Sequence, residues 1–383
     1  MISVRSVLRE VPDSRGKKGQ LHRLEAILGL ILLSMLSGRK GMKAAFHLGR
    51  SLSRKQLDRL GVRRDRKSPC HATLTETLRG LDPDEMARVF SRFTLETPCN
   101  EASEVTASQI AIDGKTLRAS KDDEGKAEHV LSAFCAALEQ SVGHTSSRGK
   151  GREIPDALRL LETIDLEGMV VTGDAIFCQK SITSRIVEKN GDYLFPLKDN
   201  QKHLREEIET AFREPVFPLT KWQDPPRTGH GRIELRHIDL LPAEALGEHI
   251  RSLWPSVRTI ARITRKREHV RAGNIVKTET ETAYLITSLL QPNPKHILNL
   301  NRNHWRIETM HRDKDVILGE DRYTNRSGHA PRNIFTLTSA ARTLLKRISS
   351  SPTRAIEMVQ DNRQNAIRFL SDQKKTAYEL SMN

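Results

Sequence analysis

Two stretches decide how this chain is read: Gln109-Ile110-Ala111-Ile112-Asp113-Gly114-Lys115, and Gly168-Met169-Val170-Val171-Thr172-Gly173-Asp174. Each is a short apolar run that ends in a carboxylate, the pattern of a buried strand with an acid at its C-terminal end. Gly114-Lys115 reads as a turn after the first. Between the two lie strand-like runs at His129 to Leu138 and Val142 to Ser146, then helical spacing from Ile154 to Ile164. Beyond the second come a helix from Gln179 to Lys189, a strand from Asp192 to Lys198 and a helix from Gln201 to Phe212. Three strands, then helix, strand, helix, strand, helix make an α/β sheet that opens with an antiparallel meander.

Working outward, residues 1–100 read as all-α. Dense Leu and Ile from Leu21 to Leu36 stop at Ser37-Gly38, and helices follow at Met42 to Leu48, Ser53 to Leu60, Thr73 to Leu81 and from Pro83 to Phe93. Arg50, Arg54, Lys55, Arg59, Arg63, Arg64, Arg66 and Lys67 punctuate them, and the region reads as a helical DNA-binding domain. By fold-level analogy the α/β order is ribonuclease H-like, with its first part over 105–215. Residues 216–290 read as a β-rich insertion, with turn signals at Pro225-Pro226 and Gly229-His230-Gly231 and β-like runs at Ile233 to Leu240, Val257 to Thr264 and Thr282 to Ile286. Over 291–348 the spacing predicts one long helix from Ile297 to Leu318, then a closing helix from Arg332 to Ile348. Residues 349–383 read as a basic, polar tail. The fold class is thus α/β: a ribonuclease H-like core with a β-rich insertion, preceded by an all-α N-terminal domain.

Composition limits the function. The 383 residues carry 63 Lys and Arg against 48 Asp and Glu, a formal charge of +15. That excess points to a polyanion, because cations that neutralise phosphates release condensed counterions. At 37% hydrophobic and 4% aromatic residues the chain fits neither a membrane protein nor a base-stacking single-strand binder. The apolar run Ala26 to Leu36 is shorter than the roughly 20 residues of a membrane span and reads as a core helix. Cys70, Cys99, Cys135 and Cys178 form no CxxC pair, which argues against a cysteine zinc site and fits a reducing compartment.

The carboxylates carry the chemistry. Asp113 and Asp174 at the C-terminal ends of neighbouring strands stand where open α/β sheets place their sites. With a third acid from a helix they would hold Mg²⁺, or Mn²⁺ in its place, since hard oxygen ligands suit both ions. The segment from Asn301 to Leu318 offers Glu308, with His304, His311, Arg312 and Asp315 on the same helical face and Trp305 and Ile307 as expected anchors. Glu320-Asp321 is the rival. No G-x-G-x-x-G follows a strand and no G-x-S-x-G elbow is present, which disfavours a dinucleotide enzyme and a serine hydrolase.

These residues resemble a family. Ile112-Asp113-Gly114-Lys115-Thr116-Leu117-Arg118 is similar to the first catalytic block of the Asp-Asp-Glu transposases of bacterial insertion sequences, in the branch that includes the H-repeat-associated proteins of Rhs elements. Val171 to Ala175, followed by Cys178-Gln179-Lys180, resembles the second block. Gly191-Asp192-Tyr193 with Leu197 to Gln201 resembles the segment after it, and Gly229-His230-Gly231-Arg232-Ile233-Glu234 the inserted-domain signature. His304-Trp305-Arg306-Ile307-Glu308, then His311, Asp315-Val316 and Glu320-Asp321, resembles the third block.

The resemblance implies a metal-binding triad of Asp113, Asp174 and Glu308, metal-dependent cleavage at terminal inverted repeats, and attack of the freed 3′-hydroxyl on a target strand. It implies double-stranded DNA as partner, a homodimer on the paired ends, and a bacterial cytoplasmic, nucleoid-associated location. Lys115, Lys198, Gln201, Arg232, His304 and Arg312 are the candidate DNA contacts, and Trp222 a candidate to stack on an unpaired base. At the wider superfamily's Tyr-Arg-Glu-Lys signature this sequence has Asn301, His304, Glu308 and Asp315. That departure keeps a second reading open, a remnant that binds specific DNA without cutting it. A metal-dependent nuclease without strand transfer is a third.

Overall fold

A computed structural model describes residues 4–17, 20–63, 65, 67–95, 109–121, 124–149, 151–229, 231–272 and 274–371. Six helices come first: α1 (Val4–Glu10), α2 (Leu24–Leu36), α3 (Met42–Ser51), α4 (Arg54–Arg59), α5 (His71–Gly80) and α6 (Pro83–Leu95). Then follow β1 (Gln109–Thr116), β2 (Glu128–Cys135), β3 (Gln140–Arg148), α7 (Glu153–Glu162), β4 (Val170–Gly173), α8 (Lys180–Glu188), β5 (Asp192–Pro196) and α9 (Lys202–Arg213). The next elements are β6 (Thr220–Gln223), β7 (Arg227–Gly229), β8 (Arg232–Pro242), α10 (Glu248–Leu253), β9 (Thr259–Arg271) and β10 (Asn274–Thr287). Helices α11 (Pro294–Asn303), α12 (Trp305–Arg312), α13 (Ala330–Ile348), α14 (Pro352–Asp361) and α15 (Arg363–Ser371) close the chain.

The chain divides into two compact units. One holds Met1–Ala102, Gly114–Arg152 and Arg306–Asn383. Its core is helical. Every residue of α2 except Glu25 is buried, as befits a helix that is apolar all round and enclosed by others. The helix ends at Ser37, and Gly38 follows with φ +67°, a left-handed position that glycine adopts without strain. Ser53 caps α4 in a reciprocal capping box with Gln56.

Two expectations about the C-terminal third change. The closing helix α13 buries Ile334, Leu337, Ala341, Leu344 and Leu345 in this same helical core. Within the segment read as a basic, polar tail, residues 352–371 form two helices. Ser351 caps α14 behind Pro352, and Ala355, Ile356, Val359, Ala366, Ile367 and Leu370 join the core. Charged residues on the outer faces of these two short helices hide their apolar spacing. Residues 372–383 and Cys99 lie outside the described residues. The unit's β2 and β3 pair antiparallel, from Glu128 opposite Arg148 to Cys135 opposite Gln140.

The other unit holds Ser103–Asp113 and Glu153–Trp305. Its strand order is β1-β4-β5-β10-β9-β8-β6, with β7 also on β8. β1, β4 and β5 are mutually parallel. β10 runs antiparallel to β5, so the strands read as an insertion continue the same sheet. β9 and β10 are longer than expected, because their charged outer halves lack an apolar alternation. Helix α11 lies on one face over Val170, Leu194, Ile238, Leu240, Ala261, Ile263 and Leu285.

Gly114-Lys115 does not form a turn, since β1 runs on to Thr116. A Cβ at Gly114 would come within 2.6 Å of the His129 ring, so the glycine serves a close approach. The single helix expected over 297–318 is broken. α11 stops at Asn303, α12 starts at Trp305, and a π-helical turn from Asp313 to Ile317 follows.

Candidate active site

Register places the first two acids. β1 and β4 pair from Gln109 opposite Val170 to Ile112 opposite Gly173, so Asp113 and Asp174 are the next positions on adjacent parallel strands. Val170 packs under α11, and Thr172 Oγ1 lies 3.2 Å from His304 Nδ1, so strand alternation carries Asp174 to that same face. Gln109 Nε2 donates to Thr172 Oγ1 at 2.9 Å and to the Leu300 carbonyl at 2.8 Å, which puts Asp113 there too. Asp113 is half-buried and Asp174 exposed. Burial lowers the pKa of His304 against the upward pull of Asp174, which favours a neutral ring beside the acid.

The loop after Asp174 is pinned from below. Asn200 Nδ2 donates to the Ala175 carbonyl at 2.8 Å, and Gln201 Nε2 to the Cys178 carbonyl at 2.9 Å. Gln201, read as a phosphate contact, thus bonds the loop that follows Asp174. Gln109, Thr172 and Asn200 also position the site, and no motif in the sequence marked them for that role. Cys178 is buried, and that burial pushes its thiol up to about 12. A Cβ at Gly173 would meet Phe177 at 2.9 Å, Ile112 at 3.0 Å and Phe195 at 3.1 Å. Gly173→Ala is expected to cost about 1–3 kcal/mol by overpacking and to lower the thermal midpoint, measurable by circular dichroism.

Glu308 belongs to the other unit. It is exposed on α12, which Ile307 and Met310 anchor from its buried side. Trp305, expected as an anchor, is 60% exposed. The rival Glu320 is buried among cations: Lys115 Nζ lies 2.5 Å from one oxygen, Lys314 Nζ 3.1 Å from the other, and Thr338 donates a hydroxyl. Lys115 also pairs with Asp315. Lys115, read as a phosphate contact, is thus paired with carboxylates, and Glu320, read as the rival acid, with lysines.

Of the other candidate contacts, Lys198, Arg232 and Arg312 are exposed. His304 is partly buried against Thr172 and does not offer a cation. Trp222 is 39% exposed; its indole donates to Asp224 at 3.2 Å and Lys295 sits over its ring. Among the described residues no group of three or more His, Cys, Asp or Glu side chains is gathered to hold a metal ion. What the unit with Asp113 and Asp174 presents is a pair of hard carboxylate oxygen donors, a donor set that suits a hard divalent ion. No helix among the described residues is long and apolar enough to cross a membrane.

Known proteins give this geometry a context. The H repeat-associated protein YhhI of Escherichia coli K12, named as a transposase, is 30% identical over 334 residues, 84% of each chain. The protein YbfL of the same strain shows the same identity and coverage. A piggyBac transposase in a synaptic complex with hairpin DNA aligns with 99% of this chain and 80% of that one, at 12% identity and a TM-score of 0.40, too distant a likeness to argue from. The family model "DDE_Tnp_1-associated" matches residues 5–94. The model "Transposase DDE domain" matches residues 105–344, the span that carries Asp113, Asp174 and Glu308, and the chain belongs to this family of transposases.

Proposed function

We propose that the chain is a DNA transposase with a ribonuclease H-like core, cutting at terminal inverted repeats and joining the freed ends to target DNA. The observation that carries this reading is the placement of Asp113 and Asp174 on adjacent parallel strands, each just past the last β1–β4 pair, in a chain of this family. The parallel β1, β4 and β5, with the β2–β3 meander, support the ribonuclease H-like part. Asp113, Asp174 and Glu308 are the residues that would hold divalent metal, Mg²⁺ or Mn²⁺. Such an ion supplies neutralising charge at the phosphodiester under displacement.

The chain's own residues do the rest. Thr172 and Gln109 fix the His304 ring beside Asp174, and Asn200 and Gln201 hold the loop that presents it. Lys198, Arg232 and Arg312 serve as phosphate contacts that set register along the DNA. In the helical unit, Arg50, Arg54 and Lys67 line a cleft of about 670 Å³, which supports a DNA-binding role there. Pairing two element ends calls for a homodimer on DNA, and substrate access for a cytoplasmic, nucleoid-associated location. The alternative, a binding remnant without cleavage, draws on Asn301, His304 and Asp315 at the signature positions.

The test uses the full chain with DNA bearing the gene's own flanks, in Mg²⁺, Mn²⁺ or chelator. Nicks at an element boundary in either metal, and none in chelator, are expected. Binding to the flanks without cutting in both metals would leave the remnant in place of the enzyme.

A further inference from the structure

An arginine cluster stands on the sheet at the same end and on the same face as Asp113 and Asp174. β10 runs antiparallel to β5, and their last pair toward this end is Leu285 opposite Pro196. Asp174 follows Gly173 at the C-terminal end of β4, where Thr172 is opposite Leu194. The outer part of the β8–β9–β10 ribbon therefore runs on past the carboxylates. Glu281 and its partner Arg265 lie roughly 13 Å beyond that last pair.

Alternation fixes the face. Ile238 and Leu240 of β8, and Ala261 and Ile263 of β9, pack under α11. Their same-face successors are Arg236, Arg265 and Arg267, with Arg236 directly opposite Arg265. Arg232 continues this row on β8, and Arg227 of β7 pairs opposite Glu234. Arg302 near the end of α11 reaches the same place and bonds Asp224 at 3.0 Å.

Carboxylates do not balance these cations. Glu234 contacts Arg236 and lies 3.7 Å from Arg267; Glu281 contacts Arg265; Asp224 takes Arg302. Six arginines thus face four acids, because Glu279 of β10 lies opposite Arg267 on this face, where it contacts Lys277 and His269. Burial, and then the charges of Arg302, Arg265 and Arg227, push the Arg236 guanidinium down against the pull of Glu234. Guanidinium groups crowded until they repel one another form a site ready for an anion. Their planar forks match phosphate oxygens, and a row along a ribbon matches a chain of phosphates better than a single ion.

We propose that Arg227, Arg232, Arg236, Arg265, Arg267 and Arg302 form a clamp for the phosphate backbone of duplex DNA beside the Asp113–Asp174 pair. The clamp rests on the reading of the chain as a DNA-cutting enzyme. It adds that the ribbon takes phosphates on its α11 face and not on its other face.

Equilibrium binding of the full chain to a flank duplex, in chelator and across a range of salt, tests it. Counterion release makes the slope of log affinity against log salt a count of phosphate contacts. The triple substitution Arg236→Gln, Arg265→Gln, Arg302→Gln is expected to lower that slope by about two to three and to weaken binding at least about tenfold. Lys266→Gln, on the opposite face, is expected to change neither. If the triple variant melts well below the wild type, Arg227→Gln at the exposed edge serves alone, with a slope smaller by about one. Folded arginine variants that keep the wild-type slope and affinity overturn the clamp and leave the DNA-cutting reading standing. A wild-type chain with no salt-dependent DNA binding overturns both.

Discussion

Glu320→Gln is expected to destabilise the helical unit by roughly 3–5 kcal/mol, the usual result of breaking a buried ion pair from one side. Glu320 is 3% exposed and Lys314 not exposed at all. Lys314 Nζ also lies over the Phe335 ring and donates to Ser339 Oγ at 2.8 Å. A glutamine keeps the shape but leaves Lys314 and Lys115 with no charge between them. The thermal midpoint should fall by roughly 6–15 °C. Glu320→Gln combined with Lys314→Met should recover part of the loss, because the uncharged methionine removes the stranded ammonium.

The same group sets an acid-side dependence. Burial works to raise the pKa of Glu320, but Lys314 and Lys115 outweigh it and hold the carboxyl at about 2. Its folded pKa is thus below its unfolded value near 4.5. The stability it contributes is fully present above about pH 4.5 and is lost as pH falls toward 2. Melts across that window should lose this slope in Glu320→Gln. A variant that melts like the wild type but no longer cuts DNA would return Glu320 to the metal site.

The sequence disclosed what short-range physics controls. Ile112-Asp113 and Thr172-Gly173-Asp174 show their strands because parallel, buried strands read as unbroken apolar runs, and the acids at their ends break the run. The helices from α2 to α6 show through their apolar spacing, and α4 also through its Ser53 cap. Pairings over long separations were hidden. Nothing local links Lys115 to Glu320, so their ion pair cannot be read from the residues around either one. The strands β8 to β10 hid their length for a related reason. Arg265, Arg267, Glu279 and Glu281 follow a two-residue period of charge, and a search for apolar alternation passes over it. In α14 and α15 the apolar stripe is narrow, and the charged outer faces dominate the reading.

Asp113→Asn and Asp174→Asn are each expected to cut metal-dependent cleavage by about 10³-fold or more, the equivalent of the several kcal/mol that a metal lends to a phosphoryl displacement. Loss of activity alone would not separate a metal ligand from a structural residue, so stability supplies the second readout. Asp113 and Asp174, each just past the last β1–β4 pair, repel each other without an ion between them, and removing the exposed Asp174 relieves that repulsion. In chelator, Asp174→Asn should therefore melt at or above the wild type. With Mg²⁺ or Mn²⁺ the order reverses. An ion that binds only the folded state adds about 2.7 kcal/mol at a hundred times its dissociation constant, and that gain belongs to the wild type. Glu308→Gln, exposed on α12, should lose cleavage. Aspartate variants that melt low in chelator and gain as much from metal as the wild type would make Asp113 and Asp174 strand-end supports. Variants that gain nothing from metal and lose cleavage together tie the two effects to one site, because a purely structural defect cannot raise stability without metal and lower it with metal.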